Sequence, residues 1–360
     1  LSSSESCVRV RVIDTTTNMV CQARAFLQPE MDGHEHLTLK TFCFLIEHEN
    51  LNRKILFDLG ARTDLESFAP RLQEMIEGIE VTVDEAVHTT LENAGIALDS
   101  IDTIIWSHWH WDHIGDCSKF PPGTKIIVGP GFKKTFRLGW PKNLDSFLLA
   151  SDLETHELQE INFDSSPPIQ GIRYYDYFCD GSFYLLDLPG HTVGHIGALC
   201  RTTPSTFILL GADSCHFLGV MRPTPENPQH VRAGDGVASL SSGPCPCSNI
   251  PFNSRAKMLE SSVAVMPDGP MCRRSPYYNI SAHESTAFEA PDVAQKTVES
   301  LQILDANPNI WICFAHDNSI SEVCPLLNTA PEKDLNLWRE QDLKNRSMWH
   351  FLNDLGRHAC

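Results

Sequence analysis

Positive charge is scarce in this sequence of 360 residues. Lysine and arginine together number 28, against 46 aspartate and glutamate residues, which gives a formal charge of −18. A surface of that sign repels phosphate backbones and anionic lipid headgroups, so we expect no nucleic acid and no membrane surface as partners. The sequence also lacks an apolar run near the roughly 20 residues that a membrane-spanning helix needs.

Signal-peptide features are missing at the start, where Leu1–Cys7 carries neither a basic residue nor an apolar stretch. The 13 cysteines are scattered along the chain, and an odd number fits reduced thiols better than a complete set of disulfides. We therefore expect a cytoplasmic protein. The sequence does not indicate an oligomeric state.

Apolar periodicity predicts strands interleaved with helices. A hairpin is predicted from 39–47 and 54–57, and helices from 83–93 and 291–306. Further strands are predicted at 8–13, 103–106, 124–128, 183–188, 195–200, 206–210 and 309–315. This interleaving is typical of an α/β or layered α+β fold, and we expect one domain over 1–360.

Two later segments differ from this pattern. Residues 219–290 are rich in Pro, Gly, Ser and Asn, which predicts an irregular insertion that covers a pocket. Residues 331–360 are predicted to hold a C-terminal helix, since Met348, Phe351, Leu352 and Leu355 follow helical spacing.

One segment carries the clearest chemical signal. Ser107-His-Trp-His-Trp-Asp-His113 places three histidines and a carboxylate within six residues, directly after a predicted strand. Buried imidazoles at this density are unfavourable unless a cation or hydrogen bonds satisfy them, and both side-chain types are zinc ligands. Ligands this close cannot all reach one tetrahedral ion, whereas two neighbouring ions would divide them.

Further ligands are expected from strand ends elsewhere in the chain. Leu188-Pro-Gly-His-Thr-Val-Gly-His195 lies between two predicted strands, and Asp213 and His316 each follow an apolar strand. A lone residue of this kind is more often a cap or turn residue. Their agreement with the dense cluster favours a metal site.

The motif His-x-His-x-Asp-His at 108–113, followed by His195, Asp213 and His316, resembles the metallo-β-lactamase superfamily. Asp58, in Ile55-Leu-Phe-Asp-Leu-Gly60, matches the family's first motif. The resemblance spans most of the chain and is nearest to the lactonase and glyoxalase II-like branch. It implies an αββα sandwich, in which two mixed sheets lie between layers of helices.

The resemblance also implies a set of ligands for two Zn²⁺ ions per chain, with iron or manganese as alternatives. His108, His110 and His195 would bind one ion, with His191 as a structural neighbour. The second ion would be bound by Asp112, His113 and His316. Asp213 would bridge the ions, and Asp58 would orient a ligand histidine by a hydrogen bond.

The implied reaction is hydrolysis of a small molecule. Two zinc ions can share a hydroxide, because metal binding lowers the pKa of water to about 7. That hydroxide would open a cyclic ester or amide, a lactone or lactam, and Asp112 would also move a proton. The homoserine-lactonase branch commonly has a tyrosine three positions after the bridging aspartate, where it donates a hydrogen bond to the substrate. In this sequence that position is His216, which we expect to replace the donor. The alternative is that His216 only packs against its neighbours.

Aromatic residues are the expected lining of a substrate pocket. Trp109 and Trp111 are interpreted first as packing residues and second as pocket walls, while Phe252, Tyr277 and Tyr278 are candidate substrate contacts from the insertion.

Three alternative functions stay open from the sequence alone. A thioesterase of the glyoxalase II type would need a cationic pocket, for which the insertion offers Arg222, Arg232, Arg255, Lys257, Arg273 and Arg274. A non-catalytic scaffold and a mononuclear-iron oxygenase on the same fold are the lesser alternatives.

Overall fold

The structure is a computed structural model that describes residues 3–163, 167–231, 263–264 and 271–355. Its strands are β1 Arg9–Gln22, β2 Leu27–Gln28, β3 His36–His48, β4 Arg53–Phe57, β5 Glu80–Val83, β6 Thr103–Ile105, β7 Lys125–Val128, β8 Leu158–Glu160, β9 Tyr174–Asp176, β10 Phe183–Asp187, β11 Ile196–Thr203, β12 Thr206–Ala212, β13 Gln229–Val231, β14 Val263–Ala264, β15 Met271–Arg273, β16 Asn279–Ile280 and β17 Ile310–Phe314.

Short helices connect these strands. The α-helices are α1 Pro70–Ile76, α2 Val87–Asn93, α3 Trp111–Ile114, α4 Phe132–Thr135, α5 Ala150–Glu154, α6 Pro291–Asp305, α7 Ser319–Val323 and α8 Leu343–Ser347. The 3₁₀ segments are Ala23–Ala25, Glu49–Leu51, Leu65–Ser67, Leu98–Ser100, Cys117–Lys119 and His350–Asn353. Among the described residues, none of the helices has the length and apolarity that crossing a membrane requires.

Two mixed sheets form the centre of the fold. The first has seven strands in the order β5-β1-β3-β4-β6-β7-β8, and the second has five in the order β17-β12-β11-β10-β9. In the first sheet, β4, β6, β7 and β8 run parallel; in the second, only the β12–β17 pair is parallel. The predicted hairpin is the antiparallel pair β3–β4.

The sheets pack against each other through one apolar layer. Val10, Phe44 and Ile105 from the first sheet share this layer with Leu185 and Ile208 from the second. Because side chains alternate along a strand, Cys43 and Leu45 of β3 face the other way, into a second cluster that includes helix residues. Helices α2 and α6 contact β1 and β17 on the outer faces, so the predicted αββα arrangement is confirmed.

The insertion predicted over 219–290 is partly regular in its described residues. Strands β13, β15 and β14 form a small sheet, and β16 pairs with β2 near the N-terminus. The described residues of this segment therefore connect to the main fold at more than one point. Its role as a pocket cover stays a prediction.

The C-terminal segment differs from the single helix predicted over 331–360. Its described residues form turns, the helix α8 and the 3₁₀ segment His350–Asn353. Leu335, Trp338 and Leu343 are buried in the layer between the sheets. Because all three pack there, the segment follows the surface of the core in short turns instead of forming one straight helix. Lys344 Nζ donates hydrogen bonds to the carbonyl oxygens of Asp305, Asn307 and Ile310, which fixes α8 against the end of α6.

A buried ion pair fastens the start of the insertion to α6. Arg222 Nε and Nη2 each donate a hydrogen bond of 2.7 Å to the carboxylate of Asp305. The two side chains are only 2% and 1% exposed. Asn227 Nδ2 donates to the same carboxylate at 3.1 Å. Because each charge is removed from water, each depends on its partner.

We predict that Asp305→Ala lowers the free energy of unfolding by about 3 kcal/mol or more, because it leaves the Arg222 guanidinium buried without its counter-charge. Urea unfolding followed by circular dichroism measures this loss. The matched control is Lys142→Ala, which removes one member of an exposed ion pair with Glu154; its effect should stay within about 1 kcal/mol. Equal losses in the two variants would contradict the role of Arg222–Asp305.

Candidate metal centre

The chemical groups of the site lie at the ends of strands from both sheets. Ser107 to His113 follows β6 and runs into α3, Asp213 follows β12, and His316 lies shortly after β17. Strands β12 and β17 are parallel neighbours, so their carboxyl ends meet at the same edge of the second sheet. The turn between β10 and β11 supplies a further histidine pair at this edge.

Two residues at the site have backbone angles that side-chain-bearing residues rarely adopt. Asp58 has a φ of 66° and Ala212, directly before Asp213, has a φ of 43°. Such conformations persist only where surrounding contacts enforce them, and they cluster at functional sites. At Asp58 the contacts are hydrogen bonds from the backbone N–H and the hydroxyl of Ser107, at 2.7 and 2.8 Å.

Asp213 lies at the centre of the cluster. Its Oδ2 is 3.2 Å from His316 Nε2, 3.4 Å from His191 Nε2 and 3.6 Å from His108 Nε2. Its Oδ1 is 3.2 Å from His113 Nε2. One buried carboxylate therefore faces four imidazoles from three different parts of the chain.

The potential ligand atoms form two main groups around this carboxylate. His108, His110 and His191 lie together with Asp213, and Asp112, His113 and His316 form the neighbouring group. His110 faces its group through Nδ1, which is 3.0 Å from His191 Nε2. Except for the third histidine of the first group, these are the residues that the sequence predicts as ligands.

The geometry places His191, and not the predicted His195, in the first group of potential ligands. Both ring nitrogens of His195 bind the backbone: Nδ1 donates to the carbonyl oxygen of Leu188 at 2.7 Å, and Nε2 accepts from the N–H of Asp213 at 3.1 Å. His195 therefore has no lone pair left for a metal. Its role is to hold the start of the Asp213 segment, while His191 Nε2 faces the carboxylate.

Several side chains orient the potential ligands from outside. His113 Nδ1 donates to Asp58 Oδ2 at 2.9 Å. Asp58 therefore orients a potential ligand histidine by a hydrogen bond, which is the role expected for it. Since the Ser107 hydroxyl donates to Asp58, its oxygen accepts from His108 Nδ1 at 3.0 Å. His316 Nδ1 donates to the carbonyl oxygen of Lys40 at 2.8 Å. These outer hydrogen bonds orient each Nε2 toward the carboxylates at the centre of the cluster.

The residues fit a divalent metal. His108 Nε2, His113 Nε2 and Asp213 Oδ1 are buried and have no hydrogen-bond partner among the described residues. Burial lowers the pKa of His108 and His110 well below the usual value, and it lowers the pKa of His191 to about 4. These imidazoles are therefore neutral at pH 7, and neutral imidazole with carboxylate is a donor set for zinc, iron or manganese.

His216 packs into the same cluster. Its Nε2 is 3.0 Å from Asp213 Oδ2, and its ring stacks on that of His316 with centroids 5.0 Å apart. Its Nδ1 is buried and has no hydrogen-bond partner among the described residues. The side chain therefore adjoins the ligand groups, as the sequence predicts, and keeps hydrogen-bonding capacity.

Among the predicted aromatic residues, Trp109 adjoins the cluster, with its ring centroid 4.6 Å from that of His110. Two further aromatic residues at the cluster were not predicted. Phe26 lies 4.3 Å from His216, and Phe288 lies 5.1 Å from His191, measured between ring centroids. Neither was predicted, because each reaches the site through a distant part of the chain and no local motif marks it.

The predicted aromatic contacts are mostly engaged elsewhere. Trp109 packs against Phe136 and Phe147, and Trp111 is buried in the core. The Tyr277 hydroxyl donates to Gln229, and the Tyr278 hydroxyl lies 2.6 Å from His34 Nδ1. Phe252 lies outside the described residues.

A cavity of about 230 Å³ adjoins His216 and His316. Its apolar wall is formed by Leu37, Leu39, Phe217, Leu218 and Phe351, and Lys40 and Asn318 also line it. A space of this size holds a small organic group beside the cluster.

Comparisons with known proteins agree with this geometry. A family model described as the metallo-beta-lactamase superfamily matches residues 38–156. The chain is 37% identical over 354 residues to metallo-hydrolase mfmC of Annulohypoxylon moriforme, covering 96% of this chain and 87% of that protein. It is 35% identical over 367 residues to gamma-lactamase FDB1 of Fusarium pseudograminearum, covering 98% and 84%.

A solved structure shares the fold. It is that of a variant of AiiA from B. thuringiensis with N-decanoyl-L-homoserine bound at its active site, and it has a TM-score of 0.56 and 18% identity to this chain. The match covers 91% of this chain and 99% of that one.

We predict that His191→Ala loses bound metal, because it removes an imidazole that faces Asp213, whereas His195→Asn keeps the metal and only lowers stability. Elemental analysis of the purified variants after loading with zinc measures the difference. Metal loss in the His195 variant with full retention in the His191 variant would reverse the assignment.

Proposed function

Because the chain belongs to the metallo-beta-lactamase superfamily, a family of metal-dependent hydrolases, we propose that it is a dinuclear-zinc hydrolase that opens a lactone or lactam of a small molecule. The observation that carries this proposal is the position of the Asp213 carboxylate, which faces both groups of potential ligands. Its Oδ2 lies near His191 of the first group and His316 of the second, and its Oδ1 lies near His113 of the second. A carboxylate in contact with both groups is suited to bridge two ions.

The ligand groups define which residues would hold each ion. His108, His110 and His191 would bind one ion, the group of Asp112, His113 and His316 would bind the other, and Asp213 would belong to both. Bound zinc would supply an activated water and a Lewis acid for the carbonyl oxygen of the substrate.

The chain's own residues contribute orientation and proton transfer. Asp112 Oδ2 accepts a hydrogen bond of 3.1 Å from the Thr41 hydroxyl, which fixes the carboxylate beside His113 and His316. We assign to Asp112 the movement of a proton from the water to the leaving group. His216 would donate a hydrogen bond to the substrate carbonyl, and Phe26 and Phe288 would contact the apolar part of the substrate.

The choice of a cyclic amide or ester rests on the similarity over nearly the whole chain to a protein named gamma-lactamase. A thioesterase that takes an anionic conjugate has less support from the described residues. Arg222 is fully engaged with Asp305, and Arg273 is buried against the Tyr277 ring, so neither offers a free cation. Arg274 is exposed and does not line the cavity beside His216 and His316. Arg232, Arg255 and Lys257 lie outside the described residues.

The function predicts turnover of a panel of lactones and lactams by zinc-loaded protein, with much slower release of thiol from a glutathione thioester. Asp213→Ala should lose bound metal and reduce turnover by at least about 100-fold, because it removes the shared carboxylate. Turnover is measured by product release, with a chelator-treated sample as the control. Full activity of Asp213→Ala would contradict the two-metal centre.

We predict that His216→Ala lowers kcat by about 100-fold, the usual effect of removing a donor to a developing oxyanion, while the metal content stays at the wild-type level. His216→Asn places an N–H near the position of Nδ1, the ring nitrogen that has no partner among the described residues, and should recover part of the loss. Steady-state kinetics on the preferred substrate, with elemental analysis of each variant, measures both effects. Unchanged kinetics in His216→Ala would leave only a packing role.

A further inference from the structure

We infer that Glu289 is a positioning residue for His191, and that its carboxylate sets the affinity of one of the two metal positions. The inference rests on the proposed metal centre. It concerns the turn of residues 188–195, here called the His191 turn, which connects β10 and β11.

His191 lacks the support that orients the other histidines. The Nδ1 atoms of His108, His113 and His316 each bind a neighbouring oxygen atom. By contrast, Nδ1 of His191 is buried and has no hydrogen-bond partner among the described residues. The contacts of Nε2 with His110 and Asp213 and the packing of Phe288 hold the inner side of the ring. In place of an outer hydrogen bond, the backbone that carries the ring must help to set its orientation.

The residues of this turn do not by themselves restrict its backbone to one conformation. The His191 turn contains Gly190 and Gly194, with φ angles of 125° and 72°. Glycine has access to many other conformations, so a turn with two such residues needs external contacts to keep one shape. Some contacts lie within the turn, and the Thr297 hydroxyl of α6 donates to the Pro189 carbonyl oxygen. The contacts nearest His191 come from the segment that enters α6.

The segment binds the His191 turn on both sides of the histidine. The N–H groups of Glu289 and Ala290 donate to the carbonyl oxygens of His191 and Gly190, at 2.8 and 3.0 Å. On the other side, the Glu289 carboxylate accepts a hydrogen bond of 2.7 Å from the N–H of Val193. Glu289 alone therefore contacts both the carbonyl of His191 and the backbone that follows it.

The carboxylate contact is separable from the rest of the fold. Glu289 is exposed, so shortening its side chain creates no cavity and leaves no buried group without a partner. The change removes the acceptor of the Val193 N–H, and that hydrogen bond lies at the surface. Its backbone hydrogen bonds to the turn are unaffected by substitution. A charged acceptor forms a stronger hydrogen bond than a neutral one, so an amide in its place should hold the turn less firmly.

Loosening the turn should affect one metal position selectively. His191 belongs with His108 and His110. Among the described residues, no hydrogen bond or ion pair joins Glu289 to Asp112, His113 or His316. Removal of a group that orients a ligand commonly weakens metal binding by about 10- to 100-fold.

The test compares Glu289→Ala, Glu289→Gln and the control Glu284→Ala, in which another exposed glutamate of the same segment is removed. Each full-length protein is loaded with zinc and titrated with a competing chelator, and the released ions per chain are counted. We expect Glu289→Ala to hold one ion as the wild type does and the other at least about 10-fold more weakly. Glu289→Gln should lie between them, and Glu284→Ala should match the wild type.

Other outcomes would contradict either the inference about Glu289 or the proposed function. Identical titrations for Glu289→Ala and the wild type would overturn the inference and leave the proposed function intact. Equal weakening of both ions would show a general loss of structure and also overturn it, which the melting temperatures of the metal-free proteins check independently. A wild-type protein that binds no zinc would overturn the proposed function itself.

Discussion

The attraction between one buried carboxylate and the imidazoles around it governs the rest of the site. Asp213 is only 2% exposed, and burial alone would raise the pKa of its carboxyl group. His113 and His316 outweigh that effect and hold the pKa well below its usual value. A buried anion surrounded in this way is stable only if the histidines stay in place or a cation joins them. The outer hydrogen bonds of Asp58, Ser107 and the Lys40 carbonyl provide this placement.

The packing of the two sheets holds the residues of the site in place. Each contributes loops from the carboxyl ends of its strands, while the apolar layer between the sheets holds those ends at fixed positions. The chain after Asp213 then returns to the site, because Arg222 binds Asp305 and β16 pairs with β2. Phe26, Phe288 and Glu289 approach the histidines through these long-range contacts. The potential metal ligands and the proposed substrate contacts thus come from separate parts of the sequence.

This separation explains how far the sequence could predict the structure. The ligands from His108 to His113 are local, and Asp213 and His316 follow apolar strands, so their patterns are visible. His191 and His195 occur in one short motif, and only the backbone partners of His195 distinguish them. The C-terminal segment has helical spacing, but burial of Trp338 and Leu343 between the sheets favours short helical turns. Phe26 and Phe288 carry no local signal, since their role depends on tertiary contacts.

The central claim is that two sets of ligands share Asp213 and bind two zinc ions. The most direct measurement is the number and identity of metal ions per chain, determined by elemental mass spectrometry on gently purified protein. The account predicts close to two zinc ions per chain, bound before or after reconstitution. A protein that binds no metal even after reconstitution, or that binds a single iron, would contradict it.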